Sequence, residues 1–230
     1  MSKIIIANFK ANGCKEFFNN WLLNFKNQSE NQILLAPPPM YLDFFSEKKH
    51  NFELCSQNVC EFDEGPFTSQ YTSSMLLDFG VKSCIIGHSE SRTLLKEDDD
   101  QIFKKFQKLN NKKIRSVVCI GEPLEIRESN KVKDYIKKQT EKFHDFEGEI
   151  VFGYEPLWAV GTGKVPELEE IQEVSNAIKE FCGEDKKILY GGSINRSNCK
   201  DILKLKEIDG ALVGGASLNP EEFAIIAQSC

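Results

Sequence analysis

Eight short apolar runs recur along this chain, and segments with a helical repeat separate most of them. The runs lie at residues 4–7, 33–36, 52–57, 84–87, 114–120, 150–152, 188–190 and 211–213. Most are rich in Ile, Val and Leu; the run at 52–57 is the weakest, because Glu53 and Ser56 interrupt it. Continuous apolar runs are typical of parallel strands that are covered on both faces. The sequence therefore predicts eight buried parallel strands.

Helical patterns lie between these runs. Apolar residues at 102, 106 and 109, and again at 171, 174, 178 and 181, fall on one face of a helix because their spacing alternates between three and four. Pro166, with three glutamates just after it, indicates the start of the second of these helices. Two further helices are predicted to begin at Asn195 and at Pro220.

The order of these elements predicts the fold class. Alternation of eight strands with eight helices, with no linker or composition shift between them, favours an α/β chain that forms a single (β/α)8 barrel domain over residues 1–230. The alternative is a doubly wound open sheet, which requires a glycine-rich turn after its first strand. The first strand here runs instead into Asn-Phe-Lys-Ala-Asn-Gly at residues 8–13.

Composition limits the kind of ligand and the compartment. The net charge of −6 gives no reason to expect a nucleic-acid partner. The eight cysteines form no Cys-x-x-Cys pair and there are three histidines, so neither a zinc site nor a disulfide framework is expected. No apolar run approaches the length of a membrane span, and no signal-like segment precedes Ile4. We therefore expect a cytoplasmic protein without a membrane partner.

The candidate functional residues are polar side chains and glycines that follow the predicted strands. In a (β/α)8 barrel the chemistry lies at the carboxyl ends of the strands. Those positions hold Lys10, His88, Glu155 and two glycine turns, at 191–193 and 214–215. Each alone has an ordinary structural explanation, such as a solvated lysine, a hydrogen-bonded histidine or a tight turn. Their placement on one rim indicates a functional site.

The residue types on this rim are typical of proton transfer next to a carbonyl group. Glycine turns let backbone N–H groups approach an anion closely, and the loops after the last two strands are the common phosphate site of this fold. Glu155 can remove a proton from carbon, His88 can polarise the carbonyl oxygen, and Lys10 can stabilise the negative charge that develops there. We expect a small phosphorylated substrate and neither a metal nor a cofactor.

Residues 153–164 read Gly-Tyr-Glu-Pro-Leu-Trp-Ala-Val-Gly-Thr-Gly-Lys. Glu155 is followed by a stiff Pro-Leu-Trp, a tip of small residues and a second hinge. This pattern predicts a base with an adjoining loop that closes over the substrate. We call residues 156–164 the lid.

Six segments resemble the triosephosphate isomerase family, in the order that the family has them. They read Asn-x-Lys-x-Asn-Gly at 8–13, Ile-Gly-His-Ser-Glu at 86–90, Cys-Ile-Gly-Glu at 119–122, the Tyr-Glu-Pro-Leu-Trp lid segment at 154–164, Tyr-Gly-Gly-Ser at 190–193 and Val-Gly-Gly-Ala-Ser-Leu at 213–218. The resemblance implies a homodimer that interconverts dihydroxyacetone phosphate and D-glyceraldehyde 3-phosphate, in glycolysis and gluconeogenesis, with no cofactor.

The resemblance also implies a role for each matched residue. Glu155 moves the proton between C1 and C2 through an enediolate, neutral His88 donates to the oxygens, and Lys10 stabilises the intermediate. This family is itself the standard example of such a glutamate, such a histidine and a closing loop. The implied substrate-binding residues are Asn8, Lys10, Gly161, Ser193, Gly214 and Gly215.

Three residues have implied supporting roles. Glu90 supports Lys10 and the dimer interface, Cys119 is a buried neighbour of the site, and Thr68 lies on a loop that reaches into the partner subunit. Two departures from the family fall near that interface. The family often has two arginines directly after this glutamate, where this chain has Ser91 and Arg92, and Ser69 stands where glycine is usual.

Two other functions are compatible with a glycine-rich barrel rim. One is isomerisation of a different sugar phosphate, against which the lid motif argues. The other is binding of a sugar phosphate without catalysis. That function predicts the loss of at least one of Lys10, His88 and Glu155, and the sequence retains all three.

Overall fold

A computed structural model describes residues 2–48, 51–144, 146, 148–160, 162 and 164–229. Eight parallel strands close into a barrel in chain order, and β1 also pairs with β8. The prediction of a (β/α)8 barrel is confirmed. The strands are β1 Ile4–Asn8, β2 Gln32–Ala36, β3 Glu53–Ser56, β4 Ser83–Ile86, β5 Arg115–Ile120, β6 Ile150–Tyr154, β7 Lys187–Tyr190 and β8 Gly210–Val213.

The barrel explains why its strands are apolar on both faces. Alternate side chains point into the barrel or outward beneath the helices. In β1, Ile4 and Ile6 belong to the interior cluster, whereas Ile5 and Ala7 pack in the layer between strands and helices. Because water reaches neither layer, a strand has no polar face and reads as a continuous apolar run.

The connections contain ten α-helices among the described residues, two more than predicted. The loops after β4 and β5 each hold a pair of helices, and each of the other connections holds one. The helices are α1 Lys15–Asn24, α2 Leu42–Ser46, α3 Ser73–Asp78, α4 Ser89–Leu94, α5 Asp99–Asn111, α6 Leu124–Glu128, α7 Val132–Thr140, α8 Leu168–Cys182, α9 Cys199–Leu203 and α10 Pro220–Ala227.

One predicted helix start is wrong. The helix predicted to begin at Asn195 begins at Cys199, because the polar side chains before it form a turn instead. Asn195 Oδ1 accepts the N–H of Ser197 at 2.8 Å, and Asn198 Oδ1 accepts the N–H of Asn195 at 2.9 Å. Side chains that bond nearby backbone groups in this way compete with helix formation.

Other boundaries move by a few residues. The run at 84–87 ends as a strand at Ile86, because Gly87 has a φ of 67° and turns the chain out of the sheet. The helix signalled by Pro166 begins at Leu168, with Glu167 and Glu170 forming a capping box. Pro220 does begin α10, where Asn219 accepts the N–H groups of the first turn. In the described part of the chain, every helix is too short or too polar to cross a membrane.

Candidate active site

The predicted site residues meet at the carboxyl end of the barrel. A cavity of about 260 Å³ opens there, just below the usual range for ligand pockets. Its lining includes every predicted catalytic residue and all but one of the predicted substrate-binding residues. Those that line it are Asn8, Lys10, His88, Glu155, Ser193, Gly214 and Gly215. Gly161 lies outside the described residues.

Lys10 is held in an unusual backbone conformation just after β1. Its φ is 51°, in the left-handed region that residues with a side chain seldom adopt. Asn8 Oδ1 accepts the Lys10 N–H at 3.1 Å, and Gln57 Nε2 donates to the Lys10 carbonyl oxygen at 2.9 Å. Both backbone polar groups of Lys10 are therefore fixed, and its side chain enters the cavity, where Nζ lies 2.7 Å from Glu90 Oε1. Glu90 therefore lies where it can support Lys10, the role that the resemblance implies.

His88 lies between β4 and α4 with a defined tautomer. Its Nδ1 accepts the backbone N–H of Glu90 at 3.2 Å. Since a nitrogen that accepts a hydrogen bond carries no proton, neutral His88 has its proton on Nε2. Nε2 lies 3.1 Å from Glu155 Oε1. The histidine therefore presents a donor to the centre of the cavity.

Glu155 follows β6 directly and is almost fully buried. Its Oε2 accepts the N–H of Ser89, the first residue of α4, at 2.8 Å. Its Oε1 receives no aligned hydrogen bond from the described residues, although His88 is near. One carboxylate oxygen is thus fixed by the backbone, and the other keeps its lone pairs available.

Two glycines make room for Glu155. A Cβ atom on Gly191 would lie 2.8 Å from Glu155 Cγ, and one on Gly121 would lie 1.9 Å from the Glu155 carbonyl oxygen. Non-bonded atoms do not approach so closely without displacing one another. The glycine after β7 therefore serves the glutamate as well as any anion bound at the rim.

Cys119 lies on β5, with its side chain in the barrel interior below the cavity. Burial raises the pKa of its thiol well above the ordinary value, and the negative charge of Glu155 adds to the effect. The thiol is therefore neutral, and a neutral buried thiol is a poor nucleophile. Its position agrees with the predicted role of a buried neighbour.

The first hinge of the lid is tied to a buried carboxylate. Glu122 is fully buried, and its Oε1 accepts from Trp158 Nε1 at 3.0 Å and from Arg127 Nη2 at 2.7 Å. Further along the lid, the Ala159 carbonyl oxygen accepts from Ser193 Oγ at 3.0 Å. The lid is thus bonded both to the end of β5 and to the glycine turn after β7.

The glycine turns form part of the wall of the cavity. Gly191 and Gly192 follow β7, and Gly214 and Gly215 follow β8. A Cβ atom on Gly215 would meet nothing within 4 Å, so there is open space on that side of its Cα atom. The expected helix start after residues 191–193 is absent, since α9 begins at Cys199. The turn after β8 does lead at once into a 3₁₀ helix, at Gly215–Leu218.

Thr68 lies away from this cavity. It lines a second cavity, of about 510 Å³, beside the loop that follows β3. Within the described residues, no cluster of three or more His, Cys, Asp or Glu side chains is arranged to hold a metal ion.

Comparison with known proteins identifies the family. The family described as triosephosphate isomerase matches residues 3–230. A triosephosphate isomerase of Neurospora crassa is 38% identical, over 96% of this chain and 95% of its own length. That of Dictyostelium discoideum is 36% identical, over 97% and 94%. The chloroplastic enzyme of Secale cereale is 37% identical, over 97% and 80%.

This chain belongs to the triosephosphate isomerase family. It is therefore an aldose–ketose isomerase, as the six matching segments predicted.

Sequence reasoning missed two contacts of this triosephosphate isomerase site. Gln57 fixes the backbone of Lys10, and the N–H of Ser89 binds Glu155. Gln57 is the last residue of the third predicted strand, which places it near the rim, but that position does not reveal its contact with Lys10. The contact of Ser89 is made by its backbone, which its side chain does not reveal.

Proposed function

We propose that the protein interconverts dihydroxyacetone phosphate and D-glyceraldehyde 3-phosphate by moving a proton between C1 and C2. The observation that carries this proposal is the meeting of a buried glutamate, a histidine and a lysine in one small cavity lined by glycine turns. Membership of the family, and relatives that bear the name triosephosphate isomerase, support the choice of substrate.

Glu155 is the base in this proposal. Its Oε1 is buried and has lone pairs that no aligned donor occupies in the described structure. A carboxylate in that state accepts a proton from carbon more readily than one bound by several donors. His88 Nε2–H then donates to the substrate oxygens in turn, and Lys10 stabilises their negative charge. The enediolate intermediate therefore forms between one base and two electrophiles.

The phosphate would bind at the glycine turns. Backbone N–H groups after β7 and β8, with Ser193, offer donors without a charged side chain. In the proposal Gly161 adds a further donor from the lid. Closure of the lid excludes water, and this protects the enediolate from elimination of its phosphate.

We further propose that the protein is a cytoplasmic homodimer. Large apolar side chains on the loops after β2 and β4 are exposed in the single chain, among them Met40, Leu94 and Leu95. Large exposed apolar patches mark sites of contact between proteins, and a second copy of this chain would cover these side chains. Thr68 would contact the partner from the loop after β3.

A single substitution tests the catalytic proposal. Glu155→Gln keeps the size of the side chain but removes the base, so we expect kcat to fall by about 10²–10⁴. The assay couples isomerisation of dihydroxyacetone phosphate to a detecting dehydrogenase. Glu125→Gln is the matched control, because Glu125 is exposed on α6. Activity of Glu155→Gln near that of the control would refute the assignment. A panel of other sugar phosphates tests the alternative substrate.

A further inference from the structure

The chain just beyond β5 runs beside the start of the lid. The Glu155 N–H donates to the Ile120 carbonyl oxygen at 2.8 Å, and the Leu157 N–H donates to the Glu122 carbonyl oxygen at 3.0 Å. Gly121 lies between these two bonds, where any Cβ atom would strike the Glu155 carbonyl oxygen. The pairing of β5 with β6 therefore continues past both strand ends. Residues 120–122 therefore fix the position of the Glu155 backbone relative to the end of β5.

A side chain from α7 holds the middle of this segment. Gln139 Oε1 accepts the N–H of Gly121 at 3.0 Å, and both residues are buried. Burying an amide side chain is unfavourable unless it forms a hydrogen bond, so an apolar residue would be the simpler choice at this point of α7. The bond to Gly121 gives the glutamine a specific purpose.

We propose that Gln139 is a positioning residue for the catalytic base, acting on Glu155 through Gly121. The inference rests on the proposed function, in which Glu155 removes the proton. Without the glutamine oxygen, the Gly121 N–H is buried and unpaired, which is unfavourable. Residues 120–122 then move toward a new partner. Glu155 moves with them, because its backbone N–H is bonded to Ile120.

The test compares two substitutions at one position. Gln139→Met keeps the length of the side chain and removes the oxygen acceptor, whereas Gln139→Glu keeps an oxygen at the end of the chain. Lys138→Met is the matched control, since it places the same new side chain one residue away on the exposed face of α7.

We expect Gln139→Met to lower kcat by about 10- to 100-fold, the loss that a misplacement of roughly 1 Å produces. KM and the inhibition constant of inorganic phosphate should stay near the parent values, because the glycine turns are untouched. Gln139→Glu should recover most of the lost kcat, and Lys138→Met should match the parent.

A substrate deuterated at the transferred position separates positioning from a merely structural role. A displaced base slows proton removal relative to the other steps, so the isotope effect on kcat should rise in Gln139→Met. A structural role would lower the melting temperature and the folded fraction without changing that isotope effect. If Gln139→Met does not fold, Gln139→Asn, which is one methylene too short to reach Gly121, replaces it with the same expectation.

Two results overturn the inference. One is a folded Gln139→Met or Gln139→Asn protein with the kcat and isotope effect of the parent. The other is a Gln139→Glu protein as slow as Gln139→Met. Full activity of Glu155→Gln would instead overturn the proposed function, so the two failures are distinguishable.

Discussion

Gln57 should be necessary for the placement of Lys10, and Gln57→Met tests this. The left-handed backbone of Lys10 is unfavourable by about 1–2 kcal/mol for a residue with a side chain. Gln57 Nε2 donates to the carbonyl oxygens of Lys10 at 2.9 Å and of Ala36 at 2.8 Å. Each bond contributes about 0.5–1.5 kcal/mol, so the pair is sufficient to offset the backbone strain. Methionine has a similar length and no donor.

Loss of these bonds should reduce the fraction of molecules that are ready for catalysis. A strain of one to two kcal/mol that nothing opposes corresponds to a factor of about 5–30 in the equilibrium between conformers. Only molecules with Lys10 in the cavity bind and turn over substrate, so kcat/KM should fall by about the same factor. Asn8 still accepts the Lys10 N–H at 3.1 Å, which places the loss at the lower end of the range.

The assay is steady-state isomerisation, with thermal unfolding to confirm that the variant folds. Gln28→Met is the matched control, because Gln28 is exposed just before β2, at the opposite end of the barrel. A folded Gln57→Met protein whose kcat/KM equals that of the control would show that Lys10 keeps its conformation without the glutamine. The reasoning about strain would then be wrong.

Two further predictions concern stability. Burial raises the pKa of the Cys55 thiol to about 12, against roughly 8.5 in an unfolded chain. Between these values only the unfolded state loses the proton, so the free energy of unfolding falls by about 1.4 kcal/mol per pH unit as pH rises. In Cys55→Ala, the free energy of unfolding measured by denaturant titration should fall less steeply with pH between about pH 9 and 11. An unchanged pH dependence would contradict the raised pKa of Cys55. Ser69 has a φ of 69°, so Ser69→Gly should relieve strain and raise the melting temperature by up to about 2–4 °C, whereas Ser69→Ala should not.

Apolar patterning was sufficient to predict the barrel and the rim residues. A strand that is buried on both faces leaves a clear signal, and closure of eight such strands places all their carboxyl ends together. Lys10, His88 and Glu155 were therefore placed correctly from their positions after apolar runs. Strand ends shifted where backbone conformation decides the boundary, as at Gly87.

Contacts between a side chain and a distant backbone group were not predictable in this way. The importance of Gln57 depends on the φ angle of Lys10, and that of Gln139 depends on an N–H group beyond the end of β5. Neither glutamine differs in the sequence from an ordinary polar residue. The wrong helix start at Asn195 has a related cause, because side-chain bonds to the local backbone outweighed the helical signal.

The site holds the backbone of Lys10 in place, but the ion-pair partner of its ammonium group can be exchanged. Hydrogen bonds from Asn8 and Gln57 hold both backbone polar groups of Lys10. Among the described residues, its ammonium group is paired with Glu90 alone, and the two side chains are 27% and 47% exposed. An ion pair with that exposure contributes about 0–1 kcal/mol. An arriving oxyanion can therefore replace Glu90 at little cost, while the lysine itself stays in place.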